Sequence, residues 1–286
     1  MGIFAWMSWS AVRGALELVG KVLLSLGLLV LSFVGYQLWG TSLSEARSQD
    51  RLVDEFESGG AALDAIRPVP GGAVGLIEIP KIGLDKAIVE GVGVEELKTG
   101  PGHYPATPLP GQPGNAAIAG HRTTYGAPFN RLDELVAGDA ILVTTAQGEF
   151  RYEVEVAEVV HPTRSEVLDP TKDNRLTLTT CHPEFSAAQR LILTAKLATP
   201  SASPPQAPEA PADVPASSLD AGLSGDPAAR WPAFAWGLAA ATVALCARVA
   251  AHYWRRLPSY LVCLPAFLVS LFLFFENFAR LLPANI

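Results

Sequence analysis

The sequence predicts an all-β domain, a small barrel or sandwich of about 130 residues, carried by three membrane-spanning helices. Three observations lead there. The chain of 286 residues is 49% hydrophobic with a mean hydropathy of +0.26, and the apolar excess gathers in three long runs at the two ends. Between them, from Ala73 to Leu197, short alternating segments follow one another with turn residues between. A third stretch, Thr199 to Arg230, is dominated by Pro, Ala and Ser and separates the strands from the last two apolar runs.

Residues 1–21 form a predicted cytoplasmic N-terminus carrying Arg13 and Lys21, and 22–40 the first membrane anchor. Val22 to Trp39 would span roughly 27 Å as a helix, close to the hydrocarbon thickness of a bilayer. A signal peptide shares this pattern, but no small-x-small cleavage site follows Trp39, so an uncleaved anchor is expected. Residues 41–72 read as a stalk, a frayed helix broken at Gly59-Gly60 and at 68–72.

The barrel is assigned to 73–198. Its predicted strands are 74–79, 87–90, 116–119, 140–145, 150–160, 175–181 and 190–197, with a turn at Gln147-Gly148. Val94 to Lys98 suits one helical turn, His103 to Gly114 a loop, and Pro128 to Leu135 has helical spacing. A disordered tether, 199–230, leads to helices at 231–250 and 257–278, followed by an exterior tail, 279–286. The basic loop 251–256, with Arg255, Arg256 and nearby Arg248, belongs inside by the positive-inside rule. The N-terminal charges agree with that orientation, which leaves 41–230 outside.

The chain has three cysteines, and Cys246 and Cys263 lie in predicted spans. Cys181 is the one thiol of the exterior domain, so no disulfide forms within that domain. It ends the alternating strand Leu176-Thr177-Leu178-Thr179-Thr180-Cys181. A thiolate nucleophile needs a nearby base or positive charge. His182 is adjacent but would point to the opposite face of a continuing strand. His103, His121 and His161 compete for the role: His103 in a Pro/Gly-rich loop, His161 at a strand terminus before Pro162, and His121 just past an apolar strand and a glycine. Arg190 opens the following strand. It suits either a carbonyl or oxyanion binder or an ordinary charged strand edge.

Over Val74 to Leu197 the chain resembles a sortase. The run 177–181, TLTTC, matches the family's TLxTC motif, while His121 in Ala119-Gly120-His121-Arg122 and Arg190 fall where the family carries its other catalytic residues. The stretches 120–129 and 180–190 look most like class E, the housekeeping-type sortases of high-GC actinobacteria. The resemblance implies a closed barrel and a cysteine transpeptidase that cuts a sorting signal, LAxTG or LPxTG, between Thr and Gly. It implies Cys181 as nucleophile, His121 as proton carrier and Arg190 as signal and oxyanion binder. Partners would be secreted proteins bearing the signal and a peptidoglycan-precursor amine. Tyr104, before the His121 strand, is expected to narrow the pocket for the second signal residue, and Thr180 to line the groove.

No metal or cofactor is expected, because no His/Cys ligand cluster is evident. The net charge of -7 and the lack of a basic stripe argue against nucleic acid. A pilus-polymerising class C enzyme is the nearest alternative, although 41–72 lacks the Asp-Pro-aromatic lid motif of that class. A cysteine hydrolase without transfer and a non-enzymatic membrane adaptor are the other two.

Overall fold

The computed structural model describes residues 9–58, 68–198 and 227–282. Most of the tether and the exterior tail lie outside the described residues. Eight strands close a barrel: β1 (Ala73–Ile79), β2 (Leu84–Glu90), β3 (Gly102–His103), β4 (Asn115–Ala119), β5 (Ala140–Thr145), β6 (Gly148–Val160), β7 (Arg175–His182) and β8 (Gln189–Leu197). Around the barrel they run β1-β2-β3-β4-β7-β8-β6-β5. β5 closes it by pairing antiparallel with β1. Strand β4 runs parallel to β7, and β7 antiparallel to β8. Alternate residues fill the interior: Ile77, Ile79, Ile88, Ile118, Ile141, Leu176, Leu178 and Leu193 are all at most 1% exposed.

All-β is right for the barrel and not for the chain, about half of whose described residues are helical. Helix α1 (Trp9–Gly35) passes through a π-helical turn, Tyr36–Gly40, into α2 (Thr41–Glu57). The predicted stalk is therefore helical to Glu57 and continuous with the apolar run, and it packs on the barrel. Thr41, Glu45, Gln49 and Leu52 are its buried residues, spaced four, four and three apart along one helical face. Leu52 meets Ala73, Ala87 and Val89. Gln49 behaves like a piece of strand against β2: its amide donates to the Ala87 carbonyl at 3.1 Å and accepts the Ala87 N–H at 2.7 Å. The polar residues Thr41, Glu45 and Gln49 are the ones that bond the barrel.

Two more expectations change. Pro128 to Leu135 yields only a 3-10 turn, Leu132–Glu134, because Phe129 and Leu132 are drawn fully into the core. His103 belongs to β3, which bridges β2 and β4, and is 2% exposed rather than in a solvated loop. The one-turn helix α3 (Val94–Leu97) follows β2.

Helices α4 (Arg230–Tyr253) and α5 (Arg256–Leu281) make an antiparallel hairpin. Its contact face on α4 is small: Ala233, Ala240 and Ala247 are buried at seven-residue spacing, which lets the two backbones approach. Polar groups close on their own helix, as in Ser270 Oγ to the Ala266 carbonyl at 2.8 Å and Asn277 Nδ2 to the Leu273 carbonyl at 2.7 Å. Three helical runs, Val12–Glu57, Pro227–Tyr253 and Arg256–Leu281, are long and apolar enough to cross a membrane. The first packs against the last: Phe33 lies edge-on to Phe275 and Phe278, each at 5.3 Å, and Tyr36 to Phe272 at 5.4 Å.

Candidate active site

Strand parity assembles the site. Leu176 and Leu178 of β7 point into the barrel, so Thr179 and Cys181 face outward. Arg190 is the cross-strand partner of Cys181, and Ile192 of Thr179. Directly opposed residues on one face have Cβ atoms about 5 Å apart, so Cys181 and Arg190 form one outward pair. On the other flank Ala119 of β4 opposes Thr179, and His121 follows two residues later. A cleft of about 320 Å³ opens over this face, lined among others by Tyr104, His121, Thr179, Thr180, Cys181 and Arg190.

The β4 exit requires a glycine. A Cβ on Gly120 would strike the Phe129 ring, about 2.6 Å away, and Phe129 is fully buried. Gly120 donates its N–H to the Thr179 carbonyl at 3.1 Å, and its own carbonyl accepts the Thr180 hydroxyl at 2.8 Å. Thr180 thus ties the histidine segment to the cysteine strand. His121 is 5% exposed, and its Nε2 makes no hydrogen bond among the described residues. Burial, helped by the Lys98 ammonium, lowers its pKa to about 4.

Burial also dominates at Cys181 and pushes its thiol up, while the Arg190 and then the Arg122 guanidinium pull it down. Burial thus disfavours the charged form of both groups. Arg190 is half-buried and steered by its own turn, donating to the Ala187 carbonyl at 3.1 Å and the Gln189 carbonyl at 3.0 Å. His182 faces away from the cleft and meets Arg122, Nδ1 to Nη1 at 3.2 Å. His161 contributes to the cleft wall and bonds Thr163 at 3.0 Å.

Tyr104 enters the cleft from the β3–β4 connection. Its hydroxyl and that of Thr179 are 3.2 Å apart, and burial raises its pKa. Below it His103 is gripped at both ring nitrogens, by Glu90 Oε2 at 2.7 Å and the Pro108 carbonyl at 3.1 Å. Among the described residues no group of three His, Cys, Asp or Glu side chains stands ready for a metal.

Two contributors escaped the sequence reading. Arg122 is 4% exposed, donates to the Cys181 carbonyl at 3.3 Å and pairs with Asp133 at 2.9 Å. Its position beside His121 was the available signal. The other is the segment joining β6 to β7, whose Pro162, Thr163, Arg164, Val167 and Leu168 wall the cleft. Asn115 fastens it, donating to the Val167 and Asp169 carbonyls at 3.0 and 3.1 Å while accepting from Thr177 at 2.7 Å.

Comparison with known proteins agrees with this architecture. A sortase domain is recognised over residues 77–198. Sortase SrtE1 of Streptomyces coelicolor is 32% identical over 199 residues, 63% of this chain but only 56% of that protein. Sortase D of Bacillus subtilis is 30% identical over 200 residues, 64% of this chain and 99% of its own length. The solved structure of a Clostridium perfringens sortase D5 transpeptidase overlays 54% of this chain and 98% of its own at a TM-score of 0.48, with 31% identity. Because the chain covers 99% of the length of the Bacillus subtilis Sortase D at 30% identity, it belongs to the sortase family of cysteine transpeptidases.

Proposed function

We propose that this chain is a membrane-anchored transpeptidase of class E type, which cuts an LAxTG or LPxTG sorting signal between Thr and Gly and passes the acyl group to a peptidoglycan-precursor amine. The observation that carries the reading is the outward Cys181–Arg190 pair sharing one cleft with His121. Cys181 Sγ attacks the threonine carbonyl, and its proton passes to His121, the neutral base available in the cleft. The Arg190 guanidinium faces the developing oxyanion. The C–N bond breaks, and the imidazolium returns its proton to the leaving glycine amine. An incoming amine then attacks the thioester and gives a proton to His121, the C–S bond breaks, and the imidazolium passes that proton to the departing Cys181 thiolate. Tyr104 narrows the pocket for the second signal residue and Thr180 lines the groove. Tyr104→Ala is expected to erode the preference between LAxTG and LPxTG peptides.

We place residues 41–230 on the extracellular side. Arg13 and Lys21 precede the first span, and Arg248, Arg255 and Arg256 sit between the last two. The ring contacts of Phe33 and Tyr36 with Phe272, Phe275 and Phe278 bring the ends of α1 and α5 together, which suits exit on one face. The similarity to SrtE1 supports class E, and the nearly equal similarity to Sortase D favours, as a second reading, a class D enzyme with the same cysteine chemistry. The full chain in lipid nanodiscs, given LAxTG and LPxTG peptides with and without an amine, tests this. A threonine-linked amine adduct that disappears in Cys181→Ala supports transfer. Hydrolysis alone under saturating amine overturns it.

A further inference from the structure

Tyr125, four residues beyond His121, is held in a conformation that its own sequence does not favour. Three consecutive residues, Tyr125 (φ 49°), Gly126 (φ 73°) and Ala127 (φ 44°), are left-handed. Two of them carry a Cβ, and such backbone persists only where its surroundings impose it. The anchor helix imposes it. The Tyr125 N–H donates to Thr41 Oγ1 at 3.1 Å, and the Thr41 hydroxyl donates to the Gln37 carbonyl at 2.7 Å. The Glu45 carboxyl fills the space where a Cβ on Gly126 would project, and is itself 1% exposed and paired with Lys86 of β2 at 2.9 Å.

The last membrane helix reaches the same place. Arg280 near the end of α5 pairs with Glu95 at 3.6 Å, Glu95 with Lys98 at 2.9 Å, and the Lys98 ammonium lies 6.0 Å from the Tyr125 ring centre. Tyr36, Glu95, Glu276 and Arg280 all act electrostatically on the Tyr125 phenol, whose pKa burial raises. The Tyr125 ring in turn lies 5.1 Å from the His121 ring, centre to centre, tilted by 39°. Packing of this kind orients the imidazole, because its Nε2 has no hydrogen bond among the described residues.

We propose that Tyr125 is a positioning residue for the His121 imidazole, seated by both membrane segments, through Thr41 and Glu45 of the anchor helix and through the Arg280–Glu95–Lys98 chain from α5. The inference rests on His121 being the proton carrier of the proposed reaction. Tyr125 is not among the residues that line the cleft. Its ring keeps water from the imidazole and fixes the ring's direction, and a displacement of about 1 Å in a reacting group costs up to roughly 100-fold in rate.

The test uses the full chain in lipid nanodiscs, with turnover of a sorting-signal peptide and ¹³C-labelled histidine titrated by NMR. His121→Ala must first abolish turnover. If it does not, the catalytic reading itself fails and the Tyr125 proposal falls with it. With that control met, Tyr125→Ala is expected to lower kcat roughly 10- to 100-fold with KM within about 2-fold. The His121 titration should move up toward the ordinary histidine value. Tyr125→Phe, which keeps the ring, should recover most of kcat. Thr41→Val, far from the cleft, should lower kcat about fivefold by releasing the Tyr125 N–H. A Tyr125→Ala protein that folds with unchanged kcat and His121 titration overturns the proposal. So does a Tyr125→Phe variant as impaired as the alanine one.

Discussion

Arg122 donates to the Cys181 carbonyl while its neighbour His121 lines the cleft that Cys181 also lines. Arg122 lowers the thiol pKa. Arg122→Met is therefore expected to shift the pH dependence of Cys181 alkylation by iodoacetamide to higher pH, and an unmoved midpoint would show that Arg122 serves only packing. His121 makes a separate statement about stability. Its folded pKa of about 4 lies below the unfolded value of about 6.5, so the unfolded chain binds the proton more readily between those values. The associated stability is fully present above pH about 6.5 and is lost as pH falls through about 4, on the order of 3 kcal/mol. His121→Gln should flatten that part of the curve of Tm against pH, measured beside the native chain. Motif and spacing drew attention to Cys181, His121 and Arg190. Arg122 escaped because a buried arginine reads like a surface one until its partners, Asp133 and the Cys181 carbonyl, are in place.

Helix α2 and the β6–β7 segment are the elements whose roles the sequence concealed. Both are rich in polar residues, whose pattern does not show which face is buried. In α2 the buried amide of Gln49 bonds the Ala87 backbone and the Thr99 carbonyl, the latter at 2.8 Å. Gln49→Ala strands those groups and is expected to cost about 2 kcal/mol, readable as a lower midpoint in thermal melts, whereas Arg51→Ala, on the exposed face, should be neutral. The β6–β7 segment is fastened by Asn115, which opens β4. Asn115→Ala releases the Val167 and Asp169 carbonyls, so peptide KM should rise severalfold with kcat little changed. A fall in kcat at constant KM would mean that the wall acts on the chemistry instead. The strands themselves were legible because period-two alternation records which face is buried, and Leu176, Leu178, Leu191 and Leu193 obey it.

For the whole molecule, the sequence revealed three apolar runs and a barrel but not that they touch. Contacts such as Phe33 with Phe275 join residues more than two hundred positions apart, and no periodicity encodes such a meeting. On the proposed topology, a cysteine introduced at Trp254 in the α4–α5 connection should resist a membrane-impermeant thiol reagent on intact cells, and one at Glu155 on β6 should react. The reverse pattern would invert the orientation. The absence of any loop between α1 and α2 has a further result. The barrel begins to pack at Thr41, one residue after the π-helical turn closes, so on the proposed topology no slack would separate the cleft from the bilayer. The protein would then work at a fixed altitude. Reactants held in the same membrane would meet it by lateral diffusion in a thin sheet, where their density per unit area sets the encounter rate and the surrounding volume drops out.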